Sequence, residues 1–167
     1  NVYKIFNSNL LFHGCIPMDN NGDFLIVNIL GKSLKGKQYL DYIEEIIRKA
    51  YFEKDPKYTD LMWYFWCSAK SPFFGKDKAA TFERYFIEDK ETHKEAKNPY
   101  YNLINEEDIC NKILKEFGLN IDDSHIINGH IPVKEKDGES PIRGNGKLLV
   151  IDGGFAKSYR KQTGRAG

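Results

Sequence analysis

Two histidines share a local setting that suits ligand binding. His13 lies in Phe12-His13-Gly14-Cys15-Ile16-Pro17, and His130 lies in Asn128-Gly129-His130-Ile131-Pro132-Val133. Each follows a short apolar run that reads as a strand, and each adjoins a glycine. In α/β sheets ligands collect beyond the carboxyl ends of strands. A neighbouring glycine lets the backbone turn sharply enough for an imidazole to project into that crevice. The plainer alternative is a pair of structural histidines with ring nitrogens bonded to backbone, and spacing alone leaves both open. His125 falls on the same predicted strand as His130 at an odd offset. It therefore points to the opposite face and has a structural or supporting part. Asp152 ends a strand ahead of Gly153-Gly154, which fits either a supporting or a turn role.

The elements that must hold these residues are legible in part. Val2 to Phe12 reads as one strand ending at His13. Asp19-Asn20-Asn21-Gly22 is a tight-turn sequence and is followed by the apolar run Phe24 to Leu30, which predicts a β-hairpin. From Lys37, the residues Leu40, Ile43, Ile46, Ile47 and Ala50 recur at helical spacing, with Asp41, Glu44, Glu45, Arg48 and Lys49 opposite. Asp60 to Cys67 is uniformly apolar and predicts a short buried helix, broken at Ser71-Pro72. Its Trp63-Tyr64-Phe65-Trp66 cluster reads as core or interface.

Lys78 to Ile87 predicts a further helix, and Glu88 to Asn98, with His93, a solvated charged loop. Asn105 followed by Glu106, Glu107 and Asp108 predicts a capped helix start, with Gly118 as its stop. Strand-like segments at His125–Asn128 and Lys147–Ile151 flank a Gly-rich loop over 134–146, long enough to be functional. The class is α/β or α+β, in one domain over 1–167, with helices over about 36–118 between terminal strand regions.

Composition narrows the functions. A chain of 167 residues that is 41% hydrophobic, with 11 Phe, 10 Tyr and 2 Trp, can bury a core unaided and is not disordered as a whole. Its 25 Lys+Arg against 24 Asp+Glu lack the footprint of a dedicated nucleic-acid binder. The longest strongly apolar run, Leu61–Cys67, is far short of the ~20 residues of a spanning helix, so no membrane partner is expected. Three widely spaced cysteines, Cys15, Cys67 and Cys110, fit reduced thiols in a cytoplasmic protein. Without an initiator Met, the chain reads as an internal to C-terminal piece of a longer protein.

Several segments together carry a family likeness. They are Phe12–Pro17, Ser71–Lys78, Thr81–Phe86, Ile127–Val133, Gly138–Arg143 and Val150–Lys157, and in that order they resemble the class III fructose-1,6-bisphosphatases. That family is similar to the calcineurin-like metallophosphoesterases, which implies a β-sandwich flanked by helices with a two-metal site at strand ends. The resemblance implies that His13 and His130 are late metal ligands. His130 matches a Gly-His-x-His element whose second histidine is here Pro132. The early series Asp-x-His, Gly-Asp, Gly-Asn-His, in that order, does not occur in residues 1–167. The expectation is therefore an incomplete site, completed by a missing N-terminal segment of the same protein, and an inactive fragment.

The implied chemistry is gluconeogenic hydrolysis of fructose 1,6-bisphosphate to fructose 6-phosphate and phosphate. It would proceed on two divalent ions, with Mn²⁺ implied by the family and neutral imidazoles required at the metal. The uncleaved phosphate calls for cations: Arg143 first, because its Gly-bounded loop also offers backbone N–H groups, then Lys134, Lys157, Arg160, Lys70 and Lys76. The alternatives are a calcineurin-like phosphatase acting on phosphoproteins or nucleotides, and a non-catalytic regulatory or oligomerisation module, with a homo-oligomer as one form.

Overall fold

The computed structural model describes residues 1–134 and 137–152. Strands β1 (Tyr3–Phe6) and β2 (Asn9–Phe12) pair antiparallel, Tyr3 opposite Phe12. The predicted single strand is thus a hairpin. Asn7 and Ser8 both take positive φ (46° and 60°), the requirement of a two-residue turn whose twist matches its strands, and no glycine marks it. The turn at Asp19–Gly22 is present, built on the Asp19 carboxylate, which accepts from the Asn21 and Asp23 amides. It closes only a Met18–Phe24 bridge. The regular hairpin comes later, from β3 (Val27–Ile29) to β4 (Lys32–Leu34) around Leu30-Gly31.

Helix α1 (Gly36–Glu53) buries Tyr39, Leu40, Ile43, Ile46 and Ala50 along one face. Its outer face is laced by Lys37–Asp41, Glu44–Arg48 and Glu45–Lys49 pairs at i,i+4, the spacing that stacks side chains on a helix. Helix α2 (Pro56–Cys67) starts earlier than the apolar run suggested. Asp55 caps it by accepting from the Lys57 amide at 2.8 Å, and Pro56 needs no donor there. It is not a buried helix. Phe65 alone is buried, edge-on to Tyr39, while Trp63 and Trp66 are 66% and 64% exposed. A run apolar on all sides packs only the face that meets α1, so Phe65 joins the core while Trp63, Tyr64 and Trp66 stand outside it.

Helices α3 (Thr81–Phe86) and α4 (Tyr100–Leu103) precede α5 (Glu107–Glu116), and α4 had no signal in the sequence beyond its tyrosines. Asn105 does not cap α5. The N-cap is Glu106, whose side chain bonds nothing there, while the Asn105 amide donates to the Asn102 carbonyl. Gly118 does stop the helix, at φ 72°, where the Gly118 and Leu119 amides return to the Lys115 and Leu114 carbonyls. Within the charged connector, Lys90–His93 forms a 3-10 turn. Glu95 fastens the connector back by accepting from Lys76 at 2.7 Å and from the Ala80 amide at 3.0 Å.

Strands β5 (Ile126–Asn128), β6 (Ile142–Arg143) and β7 (Leu148–Val150) complete a five-stranded sheet of order β1-β2-β5-β7-β6. Its three inner strands run parallel and its two edges antiparallel. Helices and mixed sheet make the fold α+β. The register aligns Leu10, Ile126 and Leu148, all fully buried, on the face that receives the helices. On the opposite row Leu11 and Ile127 are only part-buried and Leu149 is exposed. That is unusual for parallel strands, which are ordinarily covered on both faces.

Burial also sorts the thiols, none of which is in a disulfide. Burial pushes Cys15 up to about 12 and Cys110 up to about 11, whereas Cys67 is exposed. Because the thiolate is the nucleophile and burial suppresses that of Cys15, iodoacetamide at pH 8 should label exposed Cys67 at least about 100-fold faster than Cys15. Peptide-resolved mass spectrometry of native protein reads this. Equal labelling of Cys15 would mean that the β2–loop junction is open.

Candidate metal centre

The carboxyl ends of the three parallel strands lie side by side, and each is followed within two residues by an ionisable group. His13 comes directly after β2, His130 two residues after β5, and Asp152 two residues after β7. All three line one cleft of about 430 Å³. Two imidazoles that are 117 residues apart in sequence meet here: His130 Nδ1 is 3.0 Å from His13 Nε2, with the rings edge to face.

The chain works to hold them there. Asn128, 1% exposed, extends its side-chain amide across the end of β2 and donates to the carbonyls of Phe12 (3.3 Å), His13 (3.1 Å) and Gly14 (2.7 Å). The Gly129 amide adds a bond to the His13 carbonyl at 3.1 Å. His130 takes φ 71°, left-handed backbone rarely adopted outside glycine and common where a site dictates geometry. Its Nε2 lies 2.9 Å from the Phe74 carbonyl and donates to it, so Nδ1 carries the lone pair that faces His13.

The loop supplying that carbonyl is itself shaped by a buried serine. The Ser71 hydroxyl accepts from the Phe73 and Phe74 amides and donates to the Trp66 carbonyl. The Cys15 amide donates to the Pro72 carbonyl at 2.7 Å and ties this loop to β2.

Such a pair fits a metal's donor set. A ligating histidine characteristically gives its second ring N–H to a carbonyl, as His130 does. At 3.0 Å apart, His130 Nδ1 and His13 Nε2 are close enough for both to reach one ion. Burial draws the His130 imidazole below its ordinary range, and nearby His13 and Lys76 push the same way, while the Phe74 carbonyl and Asp152 oppose them. The neutral ring that a metal needs is favoured. Among the described residues, however, no three His, Cys, Asp or Glu groups cluster closely enough to hold an ion.

Two strings resemble parts of the missing series, and both lie elsewhere. Asp23 of Gly22-Asp23 pairs with Lys112 on α5. Asp123-Ser124-His125 precedes β5, so His125 and His130 sit beyond opposite ends of that strand rather than on it. The His125 amide donates to Asn9.

The candidate cations separate. Lys76 is close enough to depress His130 and lies over the Phe74 ring at 5.7 Å, although its ammonium is paired with Glu95. Lys70 is exposed. Lys134 is exposed and 3.9 Å from Asp137. Arg143 lines a different, 110 Å³ pocket, where it donates to Asn105 at 2.9 Å and lies 3.7 Å from Glu139. Lys157 and Arg160 lie outside the described residues.

Asn128, Ser71 and the Phe74 carbonyl were missed from sequence. Asn128 sat in view, beside Gly129-His130, but a buried amide that collects carbonyls leaves no pattern of its own.

Comparison with known proteins gives the chain a family. Residues 1–167 match the family described as Firmicute fructose-1,6-bisphosphatase. The chain belongs to that family. Its relatives include "Fructose-1,6-bisphosphatase class 3 1" of Clostridium beijerinckii, 58% identical over 99% of this chain and 26% of the relative. "Fructose-1,6-bisphosphatase class 3" of Clostridium botulinum is 57% identical over 100% of this chain and 26% of its own length. The Clostridium tetani protein of the same name is 56% identical over 99% and 26%. The chain thus spans about a quarter of the length of these fructose-1,6-bisphosphatases. No solved structure matches it significantly. Among the described residues, no helix is long and apolar enough to cross a membrane.

Proposed function

We propose that the full-length protein is a cytoplasmic, divalent-metal-dependent fructose-1,6-bisphosphatase that releases phosphate and fructose 6-phosphate in gluconeogenesis. The observation that carries this reading is the His13–His130 pair at adjacent parallel strand ends, in a chain that matches this family from end to end. Residues 1–167 are the C-terminal portion of one metallophosphoesterase domain, with the sheet as one layer of its sandwich and about 36–118 as a helical insertion. His13 Nε2 and His130 Nδ1 are two of the ligands, and another segment of the same polypeptide supplies the rest.

Bound divalent ions, Mn²⁺ in this reading, would supply a hydroxide at neutral pH and neutralise charge building on the phosphoryl oxygens. The chain's own part is positional. Asn128 and the Phe74 carbonyl fix the two rings, and the apolar Leu11, Ile127 and Ile151 lining lowers the local dielectric. Lys76 lies near enough to His130 to attract the uncleaved phosphate and exchange its Glu95 partner for it. Lys70, Lys134, Lys157 and Arg160 are secondary candidates for that phosphate. Arg143 serves it only through the separate pocket it lines.

The test is Mn²⁺-dependent phosphate release by the full-length protein from fructose 1,6-bisphosphate, a phosphopeptide and a nucleotide, side by side. The sugar bisphosphate should be hydrolysed with a kcat/KM at least about 100-fold above the others, a discrimination within reach of a few placed polar contacts. Preference for either of the others would discard the sugar and keep the metal site. No hydrolysis of any would favour a non-catalytic module.

A further inference from the structure

The last turn of α1 ends in an exposed aromatic pair. Tyr51 and Phe52 are 72% and 74% exposed, with their rings edge to face at 5.0 Å. They do not sit on an isolated bump. With Ile47, Val2 and Phe73 they line a groove of about 350 Å³. Beyond Phe52 the groove opens into a hollow of about 600 Å³ between α1 and α2, floored by Ala50 and Met62. In the other direction it runs into the histidine cleft, which shares Asn1, Val2 and Phe73 with it. One apolar trough therefore leads from the α1–α2 junction to the histidine pair, a surface of the kind that soluble proteins cover.

The first residues of the chain are fixed to the wall of this trough. Arg48 donates to the Asn1 side chain at 2.8 Å, and the Val2 amide donates to Glu44 at 3.2 Å. The relatives are about four times as long as the matched span. Polypeptide that precedes Asn1 in a protein of that length leaves from the middle of the trough. Tethering keeps its nearest residues there at a high effective concentration, ahead of any competing partner.

We propose that the trough is the seat of the segment immediately preceding Asn1 in the full-length protein, which lays apolar side chains against Ile47, Tyr51 and Phe52. This rests on the groove, the anchored start and the length of the relatives, and it does not depend on the proposed activity.

The test places the photo-cross-linker p-benzoylphenylalanine at Phe52, and separately at Tyr51, in the full-length protein. Both positions are exposed here, so neither substitution disturbs a packed core. Irradiated protein is digested and the linked peptides are identified by mass spectrometry. The expected result is an intramolecular link to residues preceding Asn1, with a yield unchanged over about a hundredfold dilution. A link to a second copy, with doubled mass and a yield that falls on dilution, would overturn the proposal. So would a link to residues 153–167, or no link from either position.

Discussion

Replacing His130 with alanine in the full-length protein is expected to lower metal-dependent phosphate release at least about 100-fold and to reduce bound metal in the same preparation. Loss of an outer partner of a metal ligand costs about 10–100-fold in affinity or activity, so loss of a ligand should reach or pass the upper figure. His13→Ala should behave alike, because its Nε2 is 3.0 Å from His130 Nδ1. The competing interpretation is structural, since His130 also bonds the Phe74 carbonyl and could merely pin the loop over 71–75. The readouts separate the two. A structural role predicts lower stability with metal content per folded molecule preserved, whereas ligation predicts loss of metal with near-normal folding. His125→Ala is the control. Its ring is exposed beyond the other end of β5, so activity and metal content should stay at the parent level. A His130→Ala protein that retains full metal and turnover would remove this pair from the chemistry.

Why the histidines were legible and much of their support was not follows from the kind of signal each leaves. His13 and His130 each close an apolar run and adjoin a glycine, a local pattern that places an imidazole at a strand end without knowledge of the neighbours. Helix α1 was equally plain, because Leu40, Ile43, Ile46 and Ala50 repeat at the period of the face they bury. The β1–β2 turn was hidden, because Asn7 and Ser8 take positive φ without a glycine to announce it. Helix α2 misled in its burial, because composition records apolarity and not which face finds a partner. The same limit applies to Lys76 and Arg143. Both are cations near glycines in sequence, yet only the docking of the 71–75 loop on β2 brings Lys76 toward His130, while Arg143 lines another pocket. Pairing between β2 and β5, across more than a hundred residues, creates the site, and no local window contains it.

Gly14→Ala should be the most damaging single-methyl change near the site. A β-carbon at residue 14 would stand 2.0 Å from the Pro72 carbonyl oxygen and 2.9 Å from that of Phe73, both backbone atoms that cannot rotate away. The strand end cannot retreat either. Asn128 holds the Gly14 carbonyl at 2.7 Å, and the Cys15 amide is bonded to the same Pro72 oxygen. Relief therefore requires parting the 71–75 loop from β2, which exposes the Cys15 and Pro72 partners and withdraws the Phe74 carbonyl from His130. Overpacking of this kind ordinarily costs 1–3 kcal/mol, and with a main-chain bond lost as well the expected loss is at least about 3 kcal/mol. Hydrogen exchange in the full-length protein would read it as lost protection at the Cys15 amide, together with lower metal content. Gly129→Ala supplies the contrast. Its added carbon would meet the His13 carbonyl at 3.6 Å, an ordinary contact, so its cost should stay below about 1 kcal/mol. Equal effects from the two substitutions would show that the loop yields freely, and that His130 does not depend on the Gly14–Pro72 approach for its position.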